Sequence, residues 1–256
     1  MRTPPLYLAP PSTPSIRAEI AAGRLGAIVT PASGNRLPDD GVFAVDNAVF
    51  SGNYPGDVKY LRYLERFVDH ADRSLFVTAP DVVGNAYATV ARSRRMLKEI
   101  RAMGLPAALV AQDFMEFCPP WDWDDFDALF IGGTTAWKLS DAAANLASVA
   151  ASLGKHVHVG RVNSLLRYRM VSWADSVDGT YLQWAGPDQA LPTVLGWRDA
   201  LLQDDDQSPA PPSLFDTPPD DLDPWDGGYD LTSWLKPPPQ KRRPTPRPQL
   251  GQLALL

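Results

Sequence analysis

Eight short apolar runs punctuate this chain between residues 6 and 180, and most end in an acid, an amide, a glycine or an Ala-Pro-type step. They read LYLAP (Leu6 to Pro10), AIVTP (Ala27 to Pro31), FAVDN (Phe43 to Asn47), FVTAPD (Phe76 to Asp81), ALVAQD (Ala108 to Asp113), ALFIGG (Ala128 to Gly133), HVHVG (His156 to Gly160) and DSVDGT (Asp175 to Thr180). Strands that are apolar at nearly every position belong to a parallel sheet covered on both faces. If such a sheet closes into a β/α barrel, the C-terminal ends of all its strands converge on one rim, where catalytic groups sit. Asp46, Asp81, Gln112, Gly133 and Asp178 would then meet from distant parts of the sequence, a pattern that points to an enzyme.

Helical patterns fall between most of the runs. Ser12 or Ser15 caps a short helix that reaches Ile20 and stops at Gly23. Asp57 opens VKYLRYLERFVDHA, in which Val58, Leu61, Leu64, Phe67 and Val68 recur at helical spacing. Asn85 opens AYATVARSRRMLKEIRAMG, closed by Gly104. Ser140 or Asp141 precedes an Ala-rich helix ending at Gly154, Asn163 starts SLLRYRMVSWA, and Pro187-Asp188 begins a closing helix through Leu202. This alternation implies parallel βαβ units. The expected fold is α/β: a compact (β/α)8 TIM-type barrel over residues 1–202, with several helices shortened or missing.

A chain of 256 residues can bury one large core. Its net charge of -6 gives no global basic signature for nucleic acid, although a local basic stripe can dock phosphates on an acidic protein. The single cysteine, Cys118, removes a disulfide framework and any Cys-rich zinc module, and fits a reducing compartment. Proline breaks the apolar character of MRTPPLYLAPPSTP, so no signal peptide is expected. No apolar stretch is long enough to span a bilayer, and the expected location is cytoplasmic with no membrane partner. Residues 203–256 are dense in proline, acidic first and basic later (KRRPTPR), and read as a disordered or loosely docked tail. Trp225, Tyr229, Trp234 and the final LALL are its candidate anchors, on the barrel or on a protein partner.

Each strand-end acid has a plain structural reading beside the catalytic one. Asp46 can cap the loop after FAV, Asp81 can open a turn, and Asp175 and Asp178 can terminate a strand. Asp175 can also pair with Arg161 or Arg167. Several carboxylates on one rim favour the functional reading, because like charges held together need a reason.

In order and local context, FAVDNAVFSGN, FVTAPDVVGNA, ALVAQD, FIGGTTAWK, HVHVGRVNSLLRYR and ADSVDGT resemble the tRNA-guanine transglycosylase family. The resemblance covers roughly Phe43 to Thr180. It implies Asp46 as proton-transfer acid/base, Asp178 as nucleophile on the sugar carbon, and Asp81, Gln112, Gly132 and Gly133 as base-binding groups. The sequence departs from the family where Gly179, Thr180 and Tyr181 replace Pro-Thr-Arg, and where the Cys/His zinc subdomain is missing. Those departures make the chain more similar to the DNA-guanine transglycosylases of bacteriophage and bacterial 7-deazaguanine DNA modification. The implied reaction exchanges guanine in DNA for a free 7-deazaguanine base through a covalent Asp178–sugar intermediate, with no metal or organic cofactor. Alternatives are tRNA as substrate, hydrolysis of a nucleoside or nucleotide, and a non-catalytic base- or nucleic-acid-binding barrel.

A DNA substrate would have to present an unstacked base, with Lys138, Arg161, Arg167 and Arg169 as expected phosphate contacts. Arg92, Arg94, Arg95, Lys98 and Arg101 form a basic helix that is equally a solvated outer face. His156 and His158 are read as pointing to opposite faces of their strand, with His158 lining the pocket. Trp121 and Trp123 either stack on a nucleotide or cover the barrel mouth. Cys118 has no basic neighbour to activate it.

Overall fold

The computed structural model describes residues 3–117 and 122–204. Cys118, Trp121 and most of the Pro-rich tail, with its candidate anchors and basic stretch, lie outside the described residues. Eight parallel strands close into a barrel in sequence order. They are β1 Leu6–Ala9, β2 Gly26–Val29, β3 Phe43–Val45, β4 Ser74–Thr78, β5 Ala107–Ala111, β6 Ala128–Ile131, β7 His156–Val159 and β8 Ser176–Asp178. Closure is made by β1 on β8, with Leu6 beside Ser176 and Leu8 beside Asp178. The α/β barrel expected from the apolar runs is the fold observed.

The helices are α1 Pro14–Ala21, α2 Asp57–Leu64, α3 Ala86–Ala102, α4 Thr135–Lys138, α5 Asp141–Ser152, α6 Leu165–Met170, α7 Tyr181–Trp184 and α8 Pro187–Asp204. No helix separates β2 from β3, and among the described residues two 3-10 turns stand between β5 and β6. The loop before β3 is held instead by Arg73, whose guanidinium donates to the Gly41 carbonyl at 2.8 Å. Thr13, not Ser12 or Ser15, caps α1 by accepting from the Ile16 N–H. Ser164 caps α6, one residue later than expected. The stretch after Asp57 splits: α2 stops at Leu64 and 3-10 turns continue to Arg73, so Val58 and Val68 are left exposed.

Strand alternation divides the core in two. Tyr7, Ala27, Val45, Val77, Leu109, Leu129, Val157 and Val177 face outward into the large cluster beneath the helices. Leu8, Ile28, Ala44, Phe76, Ala108 and Ala128, with Phe130 against them, fill the barrel. Small alanines leave room for two rings, and Phe76 meets Phe130 edge to face with centroids 5.9 Å apart. At β7 and β8 the inward positions are polar: His156, His158, Ser176 and Asp178. The expectation that the two histidines diverge is corrected, because residues two apart on a strand share a face. Both rings pack on Phe76, at 5.7 and 4.8 Å.

Candidate active site

Strand register brings Asp46, Thr78, Gln112, Gly132, Gly160 and Asp178 to the C-terminal mouth of the barrel, with Asp81 in the loop just after β4. Backbone strain is concentrated on the same rim. Among the described residues the non-glycine residues with positive φ are Ala48 (63°), Phe114 (66°) and Arg161 (61°). They follow β3, β5 and β7 by a few residues each. A left-handed alanine, phenylalanine or arginine costs on the order of 1–3 kcal/mol, and such strain persists where surrounding contacts over-determine it.

Asp46 is half-buried at the end of β3. Its N–H donates to the Val29 carbonyl at 2.9 Å, which fixes the backbone from which the carboxylate projects. The neighbouring Asn47 N–H donates to Thr78 Oγ1 at 2.8 Å, and Thr78 Oγ1 stands 3.5 Å from Asp46 Oδ1. Desolvation, followed by the charges of Asp178 and Asp81, pushes the Asp46 pKa from 3.8 to about 7. Backbone N–H groups of Ala48 and Asn47 oppose that shift without cancelling it. Asp46 is therefore about half protonated near neutral pH, as a general acid requires.

Asp81 is almost completely enclosed. Its Oδ2 accepts from Gln112 Nε2 at 2.7 Å and its Oδ1 from Asn47 Nδ2 at 3.4 Å. Burial still outweighs these bonds and lifts its pKa to about 6. The other end of the Gln112 amide is also engaged, with Oε1 accepting from the Gly84 N–H at 2.9 Å. Gln112 thus joins Asp81 to the start of α3, with both ends of its amide engaged within the protein. The Gly132 N–H is likewise occupied, donating to the Ala111 carbonyl at 2.9 Å. Gly133 has φ +70°, and a Cβ there would lie 2.6 Å from Asp113 Oδ2. Its carbonyl accepts from the Arg161 guanidinium.

Asp178 ends β8 with its side chain 23% exposed. Its Oδ1 accepts from the Arg161 backbone N–H at 3.0 Å and lies 3.3 Å from His158 Nε2. The left-handed turn at Arg161 is what aims that N–H at the carboxylate. Lys138 supports the turn from beneath: fully buried, it donates to the carbonyls of Gly160 and Arg161 at 2.9 and 3.3 Å.

Three of the basic residues are therefore not the free phosphate contacts expected of them. Lys138 is sealed inside, Arg167 is buried, and Arg161 is engaged by Gly133 and by the Phe50 ring. Arg169 is exposed. Asp175 accepts from the Val157 N–H at 2.8 Å, so it ties β7 to β8. His158 is fully buried beneath Asp178, which makes it a support of that carboxylate and not a wall of the pocket.

Sequence reasoning passed over Asn47, Thr78, Phe50 and Ser176. Ser176 had a visible signal, since it shares the inward face of its strand with Asp178. Among the described residues no group of three or more His, Cys, Asp or Glu side chains is arranged to hold a metal ion. No helix among them is long and apolar enough to cross a membrane.

No family model and no curated protein matches this chain. Solved structures do match. One is the PaMucR phosphodiesterase in complex with c-di-GMP; it is 17% identical with a TM-score of 0.35, over 56% of this chain and 61% of that one. Another is the Bacillus subtilis YkuI protein, with an EAL domain, in complex with c-di-GMP and calcium; it is 13% identical with a TM-score of 0.35, over 57% of this chain and 38% of that one. This chain thus spans less than two thirds of the length of either.

These findings correct the transglycosylase resemblance. No family model and no curated protein supports base exchange, and neither solved structure named above is a transglycosylase. The pentosyltransferase activity, the DNA and tRNA substrates and the 7-deazaguanine partner fall with it. Nucleoside hydrolysis and passive nucleic-acid binding gain nothing in their place.

Proposed function

We propose that this chain is an acid–base hydrolase working at the C-terminal mouth of its barrel, with Asp46 as proton donor and Asp178 as the base that activates water. The observation that carries the reading is the unequal environment of two neighbouring carboxylates. Burial and the nearby acids raise Asp46 to about 7. Asp178 instead receives a backbone N–H and faces His158, contacts suited to a carboxylate acceptor. Pairs of carboxyl groups held in such different settings divide acid and base roles between them.

The step balances on these two groups. A water O–H gives its proton to Asp178 while its oxygen bonds to the electrophilic carbon. The bond from that carbon to the leaving oxygen breaks, and the leaving oxygen takes the Asp46 proton. Exchange with solvent then returns one proton to Asp46 and removes one from Asp178. Three acids around one mouth disfavour an anionic substrate, so a neutral substrate fits best. Phe50, about half exposed beside the mouth, offers an apolar face for such a molecule.

A panel of p-nitrophenyl glycosides, p-nitrophenyl acyl esters, bis(p-nitrophenyl) phosphate and c-di-GMP, each with and without magnesium, tests the reading. Turnover is expected with a glycoside or an ester, falling above pH 7 as Asp46 loses its proton. Asp46→Asn should lower it by about 100-fold or more. Turnover confined to the phosphodiesters, or indifferent to Asp46→Asn, would overturn the assignment.

A further inference from the structure

The polar residues inside β7 and β8 form one continuous hydrogen-bonded line. His156 Nε2 lies 2.8 Å from Ser176 Oγ. The same oxygen lies 2.8 Å from His158 Nδ1, and His158 Nε2 lies 3.3 Å from Asp178 Oδ1. The line starts at the first residue of β7 and ends at the rim carboxylate. Ser176 and His158 have no exposed surface, and His158 sits between Phe76 and Phe130 with centroids at 4.8 and 4.5 Å. A barrel core is ordinarily filled by apolar side chains, so a polar line here is not required by the fold.

Counting hydrogens limits how the line can be drawn. Ser176 has one hydroxyl hydrogen and two histidine nitrogens at bonding distance, so it donates to one and must accept from the other. If it donated to His156, His158 would have to present Nδ1–H to Ser176. A neutral His158 would then turn a lone pair on Nε2 toward the Asp178 carboxylate, lone pair against lone pair. The opposite arrangement satisfies every atom. His156 Nε2–H donates to Ser176 Oγ, the Ser176 hydroxyl donates to His158 Nδ1, and His158 Nε2–H donates to Asp178 Oδ1. For His156, desolvation is the largest cause that lowers its pKa to about 4, so this ring is neutral at pH 7 and carries one N–H to donate.

We infer that Ser176 and His156 are positioning residues that lock His158 in the Nε2–H tautomer, so that an N–H always faces the Asp178 carboxylate. This rests on the reading of Asp178 as the base. The bond from His158 and the bond from the Arg161 N–H both fall on Oδ1, which leaves Oδ2 for the attacking water. Without the lock, Nδ1 loses its donor and the Asp178 carboxylate alone holds the Nε2–H tautomer, a weaker hold that admits some of the other form. Partners that fix the tautomer of a functional histidine commonly affect activity by 10- to 100-fold.

Nitrogen-15 NMR of the histidine rings tests this without a substrate, and with three histidines in the chain the assignment is short. At pH 7 the wild-type protein should show His158 with a bare Nδ1 and a protonated Nε2, and His156 protonated at Nε2. Ser176→Ala should convert the His158 signals to a tautomer mixture, and Ser176→Thr should restore the single form. A wild-type His158 protonated at Nδ1, or at both nitrogens, would overturn the proposal whether or not any variant folds. So would a Ser176→Ala spectrum identical to wild type. Once a substrate is found, Ser176→Ala should lower kcat about 10-fold and leave KM nearly unchanged. Because the NMR result needs no turnover, failure of the lock and failure of the hydrolase reading are told apart.

Discussion

The guanidinium of Arg161 lies 4.5 Å from the centre of the Phe50 ring. Phe50 belongs to the loop after β3 and Arg161 to the loop after β7, strands four places apart in a ring of eight and hence on opposite sides of the barrel. The contact therefore crosses the mouth above Asp46 and Asp178. Arg161 also carries a left-handed backbone, which glycine adopts at no cost. Arg161→Gly should keep the N–H that serves Asp178 while removing the side chain from Phe50 and Gly133. The expected result is a change in stability within about 1 kcal/mol, since relief of strain offsets the lost contacts. Substrate capture should change more than chemistry, so KM should move while kcat holds. Chemical denaturation and steady-state kinetics read the two effects, and a large loss of kcat alone would show that the clasp is not a matter of access.

Two carboxyl groups and one histidine give opposed pH dependences of stability. The unfolded chain releases the Asp46 proton near the ordinary value of 3.8, whereas the folded chain holds it to about 7. Raising the pH across that interval therefore costs stability. Asp81, raised to about 6, adds to the same slope. His156 acts the other way. Its folded pKa is about 4 against an ordinary 6.5, so the unfolded chain gains a proton first as the pH falls, and stability rises with pH between those values. Asp46→Asn removes one falling limb. Relative to wild type, the variant should gain stability on the order of 1–4 kcal/mol between pH 4 and pH 7. Urea unfolding at a series of pH values measures this, and two parallel curves would show that Asp46 is not desolvated as described.

The Asp81–Gln112 pair supplies a structural prediction. Gln112→Leu keeps the volume of the side chain but takes the donor from Asp81 Oδ2 and the acceptor from the Gly84 N–H. One buried carboxylate oxygen and a loop N–H then lose their partners, at a cost of about 2–4 kcal/mol. Loss of that amide donor should also raise the Asp81 pKa further, because the bond it donates now opposes the shift. Thermal unfolding reads the first effect and carboxyl carbon-13 NMR titration the second. An unchanged melting temperature would mean that water replaces the amide freely.

The barrel was legible because most of its strands are nearly unbroken apolar runs separated by helical patterns, as a parallel sheet covered on both faces requires. The rim carboxylates were legible by position, since Asp46 and Asp178 each close such a run. What sequence order could not show was occupancy. Gln112 and Lys138 look free on paper, but the partners that engage them, Asp81 and Gly84 for one and the Gly160 and Arg161 carbonyls for the other, lie 22 to 31 residues away. Residue types at strand ends drew the resemblance toward base exchange, whereas hydrogen bonding within the barrel decides which of those residues can meet a ligand. The histidine line is hidden for a simpler reason: residues two apart share a strand face, but nothing in the sequence shows that Ser176, on the neighbouring strand, bridges the two rings.

Gly179 shows how tightly the base is seated. It directly follows Asp178, and a Cβ built there would stand 2.4 Å from the Val162 carbonyl oxygen, 2.5 Å from Asn163 Oδ1 and 2.7 Å from the Tyr7 hydroxyl. Asn163 has no freedom to retreat, because its Oδ1 accepts from the N–H groups of Thr180 and Tyr181 at 2.7 and 3.1 Å. The Val162 N–H is itself bonded to the Asp178 carbonyl at 2.6 Å, so the obstructing backbone is tied to the residue it would push. Gly179→Ala must therefore separate the loop after β7 from the end of β8. Overpacking against backbone costs about 1–3 kcal/mol, and loss of the Asn163 bonds adds to it. The same movement carries the Arg161 N–H away from Asp178 Oδ1, so activity should fall even in the fraction that stays folded. Denaturation curves and kcat measured well below the melting temperature separate the two losses. A variant that is destabilised yet keeps full kcat would show that the seating of Asp178 does not depend on this contact.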